Sequence, residues 1–354
     1  MRRTIEAKLL GWKASDRRKP LIMLGMRQCG KTYTLKEFGR KHYEDETYFD
    51  FERNPQLSNI FRDLDPNRII KELSAANGRR ITERTLIIFD EIQHCYAALS
   101  SLKYFCQEMP GYHIVCAGSL LSLALANRSP TGKDAGGIQD RNTFPAGKVN
   151  FIRMWPMDFG EFILATEGEE FFGMIDGIPP REEIPAWAME RLESSYGDYL
   201  MVGGMPESVQ TWIGTKDLVE VRRVQNEMIR SFREDMGKYS GFSYQKVVAL
   251  WDSAAYQAVE AGNRFFLKKA GGTTKTLADP LQWLLDAGLL KRAWEVNDDS
   301  IPRIRGAESI TSCICRTWGF SRVWRAYPRS TSHQQTAEPR SFAGPWQRTM
   351  PSTK

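Results

Sequence analysis

Residues 25–32, with the sequence GMRQCGKT, have the types and spacing of a loop that holds phosphate groups. They fit the pattern G-x-x-x-x-G-K-[ST], in which two glycines let the backbone turn sharply and direct successive N–H groups at an anion. In this pattern Lys31 reaches the β- and γ-phosphates, and the Thr32 hydroxyl binds magnesium. We therefore expect a nucleoside triphosphate here. The residues expected to contact it are Gly25, Arg27, Gln28, Cys29, Gly30, Lys31 and Thr32.

A pair of acidic residues, Asp90 and Glu91, directly follows the apolar run at 86–89. A carboxylate at the end of such a strand is suited to hold the magnesium of a bound nucleotide, so Asp90 is a predicted metal ligand. Glu91 is a predicted catalytic residue, together with Lys31, because it can orient the attacking water. A glutamate at this position favours hydrolysis over transfer to another substrate. An exposed strand-end carboxylate without a catalytic role is the alternative for Glu91.

The first half of the chain alternates strand and helix signals around these motifs. Apolar runs predict strands at 20–25, 47–51, 85–90, 112–118 and 148–153, and helical spacing predicts helices at 32–42, 67–77 and 97–108. Such alternation implies a parallel sheet with helices on both faces. We therefore expect an α/β fold in which the phosphate loop joins the first strand to a helix whose amino terminus faces the anion.

The fourth predicted strand ends at Ser119, beside the expected position of the γ-phosphate. A polar side chain there can sense the phosphate or position water, so Ser119 is a candidate catalytic residue. It is equally suited to be the N-cap of a helix that begins at Leu120. The two roles are compatible, and both remain open.

From residue 158 onward the pattern is mainly helical, and its longest periodic stretch runs from 217 to 239. Two helical patterns and a strand-like run, at 244–259, 276–287 and 289–296, are typical of a winged-helix module. A small helical packing domain explains them equally well. The expected domains are an ATPase-type domain at 1–165, a helical linker or lid at 166–240, a winged-helix-like module at 241–302 and a disordered tail at 303–354.

The charge of the chain is unevenly distributed. The formal net charge is +6, but residues 303–354 contain nine basic and two acidic residues, so residues 1–302 have a net charge of −1. The folded part therefore has no global electrostatic signature of a DNA-binding protein. No signal-peptide pattern begins the sequence, and the longest uncharged apolar stretch is too short to cross a bilayer. Six scattered cysteines favour reduced thiols in a cytoplasmic protein with no membrane partner.

Several strings resemble a bacterial and archaeal family of AAA-type ATP-binding proteins. In the first half these are residues 25–32, LIIFDEIQ (86–93), LKYF (102–105), AGSLL (117–121), FPAGKV (144–149) and PMDFGEF (156–162). In the second half they are YLMVGGMPESV (199–209), DMGKYS (235–240) and QWLLDAGL (282–289). The resemblance covers roughly residues 5–302.

The resemblance implies ATP as the nucleotide, with Asp90 on magnesium and Glu91 activating the water. It implies the sheet order 5-1-4-3-2, since the strand at 47–51 separates AAA-like proteins from the simpler kinase arrangement. It also implies a carboxyl-terminal domain of unknown function that contains a winged helix and then a nuclease-like fold.

The sequence departs from the family in two respects. No arginine is distinguished as the one that completes the site of a neighbouring subunit, and Arg128, Arg141 and Arg153 are equal candidates. The oligomeric state is therefore not predicted. The resemblance also stops abruptly after Pro302.

Three readings of the function follow. The first is a magnesium-dependent ATPase whose nucleotide state moves the carboxyl-terminal module. The second is a nucleotide-gated module that binds DNA or a protein through residues 241–302 with little turnover. DNA binding by that region would be weak and would fall steeply with salt, because it would depend on a few lysines and Arg292. The third is a decayed product with an intact nucleotide site.

The composition of the tail from about residue 303 indicates that this segment is translated in the wrong reading frame. Its fifty-two residues contain no Leu, Asp or Asn and are rich in Arg, Ser and Thr. For residues 311–321, TSCICRTWGFS, the genetic code permits the string KLYLPDVGLL in a shifted frame, and that string resembles a segment of the family. A genuine disordered basic tail is the alternative. The nucleotide sequence of codons 311–321 decides between them.

Overall fold

The computed structural model of the protein describes residues 1–118, 144–179, 182–239, 244–257, 265–293 and 312–315. The strands within these ranges are β1 (Leu21–Leu24), β2 (Asp45–Asp50), β3 (Thr85–Asp90), β4 (His113–Ala117), β5 (Asn150–Arg153), β6 (Leu290–Ala293) and β7 (Ser312–Cys315). The helices are α1 (Ile5–Lys13), α2 (Lys31–His42), α3 (Pro66–Asn77), α4 (Tyr96–Glu108), α5 (Phe159–Thr166), α6 (Glu169–Asp176), α7 (Ala186–Val202), α8 (Pro206–Thr215), α9 (Leu218–Tyr239), α10 (Tyr244–Gln257) and α11 (Thr274–Asp286).

Five parallel strands form one sheet in the order β2-β3-β4-β1-β5. Read from the other edge, this is the predicted order 5-1-4-3-2. The eight strands and helices predicted in the first half are present, with boundaries that differ by at most two residues from those expected. The α/β fold class is therefore confirmed.

Side chains alternate between the two faces of the sheet, and this explains why helices cover both. On β1, Leu21 and Met23 pack in one apolar cluster with side chains of α1 and α2. Ile22 lies between them in the sequence and packs in the other cluster, with side chains of α3 and α4. Strands buried on both faces are typical of parallel sheets. Because the strands are parallel, the carboxyl ends of β1 and β3 lie at the same edge of the sheet, with β4 between them.

Of the helices that follow β5, α5 to α8 form separate apolar clusters, whereas α9 joins the first cluster. Helix α5 begins with a capping box, in which the Asp158 carboxylate accepts from the Glu161 amide and Glu161 binds back to the Asp158 amide. Helix α9 buries Met228, Phe232 and Met236 in the cluster that also contains the side chains of α1 and α2. The long periodic stretch predicted at 217–239 is thus a helix, confirmed to within one residue.

The carboxyl-terminal region joins the same core. Helices α10 and α11 bury Leu250, Trp251 and Leu284 in it. Strand β6 follows α11 and pairs with β7 in an antiparallel ribbon. This order of two helices and a strand agrees with the pattern read from the sequence, and a winged helix remains a prediction for it. Within the described residues, no helix has both the length and the apolar character needed to cross a membrane.

Candidate functional site

The phosphate loop between β1 and α2 follows a path that glycine makes accessible. Gly30 is the N-cap of α2 and has a left-handed backbone, with φ of +94°. At Gly25, a Cβ would lie 2.4 Å from the Met154 carbonyl oxygen, because the chain after β5 runs directly beside the loop. Gln28, between the two glycines, also has a positive φ, of +63°. The loop therefore leads into the amino terminus of α2, where backbone N–H groups lack partners within the helix.

The Lys31 side chain folds into the loop that precedes it. Its ammonium group donates hydrogen bonds to the carbonyl oxygens of Gly25, at 2.9 Å, and Met26, at 2.8 Å. The lysine is only 7% exposed. A buried cation is thus placed at the centre of the loop, where its charge acts on an anion with little solvent screening.

Three oxygen-bearing side chains meet at the carboxyl ends of β2 and β3. The Thr32 hydroxyl donates to Asp90 Oδ2 at 2.6 Å, and the Tyr48 hydroxyl donates to the same oxygen at 2.9 Å. Asp90 is buried. Burial and the charge of Asp90 raise the pKa of the Tyr48 phenol, which therefore stays protonated as a donor. Hydroxyl and carboxylate oxygens are ligands that Mg²⁺ prefers, so the pair of Thr32 and Asp90 fits that ion.

Glu91 occupies a strained backbone position immediately after β3. Its φ of +48° is left-handed, a conformation that is uncommon for residues other than glycine. The side-chain nitrogen Nε2 of Gln93 donates to Glu91 Oε2. The Glu91 backbone N–H donates to Asp90 Oδ1 at 3.0 Å, so the turn and the hydrogen bond from Gln93 restrain the glutamate directly after the predicted metal ligand. Its catalytic role stays a prediction.

Arg3, near the amino terminus of the chain, binds the phosphate loop and the segment after β5. Its guanidinium donates to the Cys29 carbonyl at 3.0 Å and to the Trp155 carbonyl at 2.6 Å, and it forms an ion pair with Glu161 at 3.1 Å. Thr4 donates to the same glutamate through its amide and its hydroxyl. Arg3 is 7% exposed. No local sequence pattern indicates a role for this residue, because its partners lie far along the chain.

Arg27 links the loop to helix α9. Its guanidinium pairs with Asp235 at 2.6 Å, and the Asp235 side chain is only 8% exposed. Burial works against the charged guanidinium, but the hydrogen bond and charge of Asp235 outweigh it and raise the pKa of Arg27. Arg27, predicted to contact the nucleotide, is thus directed to a carboxylate of the helical region.

Two further contacts bring later parts of the chain to the loop. Gly288, at the turn between α11 and β6, lies against Met26, since a Cβ there would be 3.5 Å from the Met26 amide nitrogen. Pro206, the first residue of α8, lies beside Gly30: a Cβ built on Gly30 would be 3.5 Å from the Cγ atom of Pro206. Three separate segments of the second half of the chain therefore contact the loop, at Pro206, Asp235 and Gly288.

The remaining predicted site residues lie in varied places. The Cys29 thiol is completely buried, points toward the Met154 carbonyl and has a pKa that burial raises, so the residue can offer a ligand only its backbone. Arg153 lies at the end of β5 over the Trp155 ring. Ser119, Arg128 and Arg141 lie outside the described residues. Their predicted roles stay predictions.

Comparison with known proteins agrees with this geometry. Residues 17–163 match an AAA domain, and residues 193–308 match a domain of unknown function, DUF8612. No curated protein matches the chain.

Solved structures give a further comparison of the fold. The Walker-type ATPase PABY2304 of Pyrococcus abyssi superposes with a TM-score of 0.55 at 15% identity, over 92% of this chain and 95% of that one. The DNA-bound ORC1 protein of Aeropyrum pernix has a TM-score of 0.32 at 12% identity, over 91% and 90% of the two chains. AMPPCP-bound DnaA from Aquifex aeolicus has the same score and identity, over 80% and 87%. The last two scores are too low to support an argument. The chain thus has an α/β fold of the AAA-like P-loop NTPase type, in which residues 17–163 match an AAA domain.

Proposed function

We propose that this protein is a magnesium-dependent ATPase. The observation that carries the proposal is the meeting of Lys31, Thr32 and Asp90 at one edge of the sheet. A buried cation lies at the centre of the loop, and a hydroxyl and a carboxylate 2.6 Å apart lie beside it. These groups together suit a phosphate chain and its metal ion.

Separate groups of residues would bind the phosphates, hold the metal ion and activate the water molecule. Backbone N–H groups of the loop and the first turn of α2 bind phosphate oxygens, and the Lys31 ammonium exchanges its two carbonyl partners for them. Thr32 and Asp90 would hold Mg²⁺, which when bound neutralises charge on the phosphate oxygens. Glu91, held by Gln93, orients a water molecule and accepts its proton.

We further propose that the nucleotide state is transmitted to the carboxyl-terminal region. The loop contacts α9 through the pair of Arg27 and Asp235, and it contacts the turn after α11 through Met26 and Gly288. A loop that rearranged around phosphates would change both contacts, and α9 to α11 share a core with the sheet. Residues 241–302, in which Lys268, Lys269, Lys275 and Lys291 are exposed, are the proposed region for a DNA or protein partner.

Calorimetric titration with ATP and Mg²⁺ tests the nucleotide site. Lys31→Ala should weaken binding by about 100-fold or more, because charge-assisted contacts to the phosphates are lost. Lys71→Ala removes an exposed lysine on α3 and should bind as the wild type does. Equal affinity of wild type and Lys31→Ala would refute the assignment of the phosphate loop.

A further inference from the structure

We propose that Tyr48 is a positioning residue, which fixes the Asp90 carboxylate in the orientation that Mg²⁺ requires. The inference rests on the proposed function, since it concerns the metal site of the same nucleotide. The sequence pattern predicts a strand at Tyr48 and indicates no role for its side chain. The structure instead places its hydroxyl 2.9 Å from Asp90 Oδ2.

The hydrogen bonds of Asp90 leave one direction of its carboxylate for a further ligand. A carboxylate has about four lone-pair directions, two on each oxygen. The Thr32 and Tyr48 hydroxyls occupy both directions of Oδ2, and the Glu91 amide donates to Oδ1 at 3.0 Å. Among the described residues, the second direction of Oδ1 has no donor. The Tyr48 hydroxyl thus completes a set of three donors that prevents the carboxylate from rotating.

Tyr48 is itself held in place from two sides. Its strand, β2, pairs with β3 in a register that sets Tyr48 beside Ile88 and Asp50 beside Asp90. The Lys36 ammonium, one turn along α2 from Thr32, lies over the Tyr48 ring at 3.4 Å from its centroid. A cation on the face of an aromatic ring restrains both groups. The hydroxyl therefore reaches Asp90 from a rigid position.

Asp50 does not compete strongly for this hydroxyl. Tyr48 donates to Asp50 Oδ2 at 3.3 Å, a longer contact than the one to Asp90. The other Asp50 oxygen accepts from the amides of Glu52 and Arg53, which anchors the carboxylate in the turn after β2. The hydroxyl is thus directed mainly at the predicted metal ligand.

Removal of a single oxygen atom tests the proposal. The measured quantity is the affinity for a fluorescent, non-hydrolysable ATP analogue in Mg²⁺, divided by its affinity in EDTA. Tyr48→Phe should lower this ratio by about 10-fold, the size of effect typical when a partner of a metal ligand is lost. The affinity in EDTA should not change, because Tyr48 contacts the metal ligand and not the loop.

Tyr43→Phe is the matched control. Its hydroxyl also forms a hydrogen bond, to His113 Nδ1 at 2.6 Å, but at the opposite end of β4 from the site. This variant should keep the wild-type ratio. A Tyr48→Phe ratio equal to that of the wild type, or an equal fall in both variants, would overturn the role of Tyr48.

Two further outcomes are decisive. If Mg²⁺ does not improve binding by the wild type, the metal site of the proposed function fails together with the role of Tyr48. If Tyr48→Phe does not fold, Lys36→Met decides, because it removes the restraint on the ring and leaves the hydroxyl in place. That variant should lower the ratio by a smaller factor, and an unchanged ratio would overturn the proposal.

Discussion

At the scale of single residues, the site depends on backbone conformations that most residues avoid. Gly25 and Gly30 allow the loop to turn, while Gln28 and Glu91 adopt positive φ angles despite their side chains. Each left-handed residue of that kind costs about 1–3 kcal/mol and persists only where its surroundings hold it. Both lie in the segments that carry the predicted chemistry, which agrees with their proposed roles.

His113 gives a prediction about pH. Burial, followed by the charges of Arg18 and Lys13, lowers its pKa from 6.5 to about 4. Below pH 6.5 the unfolded chain therefore binds a proton that the folded chain does not, and the free energy of unfolding falls as the pH approaches 4. His113→Gln removes this titration. Urea unfolding from about pH 7 to about pH 5 should show a smaller loss of stability for the variant than for the wild type. An equal loss of stability in the variant and the wild type would contradict the role of His113 in this pH dependence.

Some residues of the site could be read from the sequence and others could not. Lys31 and Thr32 belong to one short motif, and Asp90 ends a strand of the predicted parallel sheet, so their proximity could be predicted; the structure places the Thr32 hydroxyl on Asp90. Arg3 and Asp235 lie far along the chain from the loop that they contact. Such contacts form only in the tertiary structure, and no local sequence pattern predicts them.

At the scale of elements, the sheet followed directly from periodicity and motif order. Strands β1, β3 and β4 are short, apolar and almost entirely buried, which makes them distinct in the sequence. Strands β2 and β5 are more polar and less buried. The order of the strands needed the family resemblance in addition, because periodicity does not determine which strands are neighbours. The position of α9 against the loop was not predicted, since an amphipathic pattern shows that a face is buried but not what covers it.

The contact between the loop and α9 predicts an asymmetric pair of variants. Arg27→Gln should destabilise the protein by about 2 kcal/mol, because it leaves the buried Asp235 charge unpaired. Asp235→Asn should cost about 1 kcal/mol, since Arg27 is 43% exposed and can be hydrated. The double variant should recover about 1 kcal/mol of the summed loss. Urea unfolding of the three variants without nucleotide measures these differences, and strict additivity would show that the pair is not coupled.

At the scale of the whole molecule, one apolar cluster runs from the sheet to the carboxyl-terminal helices. It includes Met26 of the phosphate loop, Met236 of α9 and Leu284 of α11. In the proposed mechanism, a rearrangement of the loop would act on a core that the second half shares. The proposed ATPase would use this continuity to change the shape of the region at 193–308, which matches a domain of unknown function.

Phosphate release from ATP by the full chain tests the central claim most directly. The wild type should release phosphate only when Mg²⁺ is present. Glu91→Gln should bind ATP as tightly as the wild type. It should release phosphate at about one hundredth of the wild-type rate or below, because the amide cannot accept a proton. Glu91→Asp, which keeps a carboxylate, should retain more of the rate than Glu91→Gln. A wild type that binds ATP and Mg²⁺ without releasing phosphate, or a Glu91→Gln variant as fast as the wild type, would contradict the account.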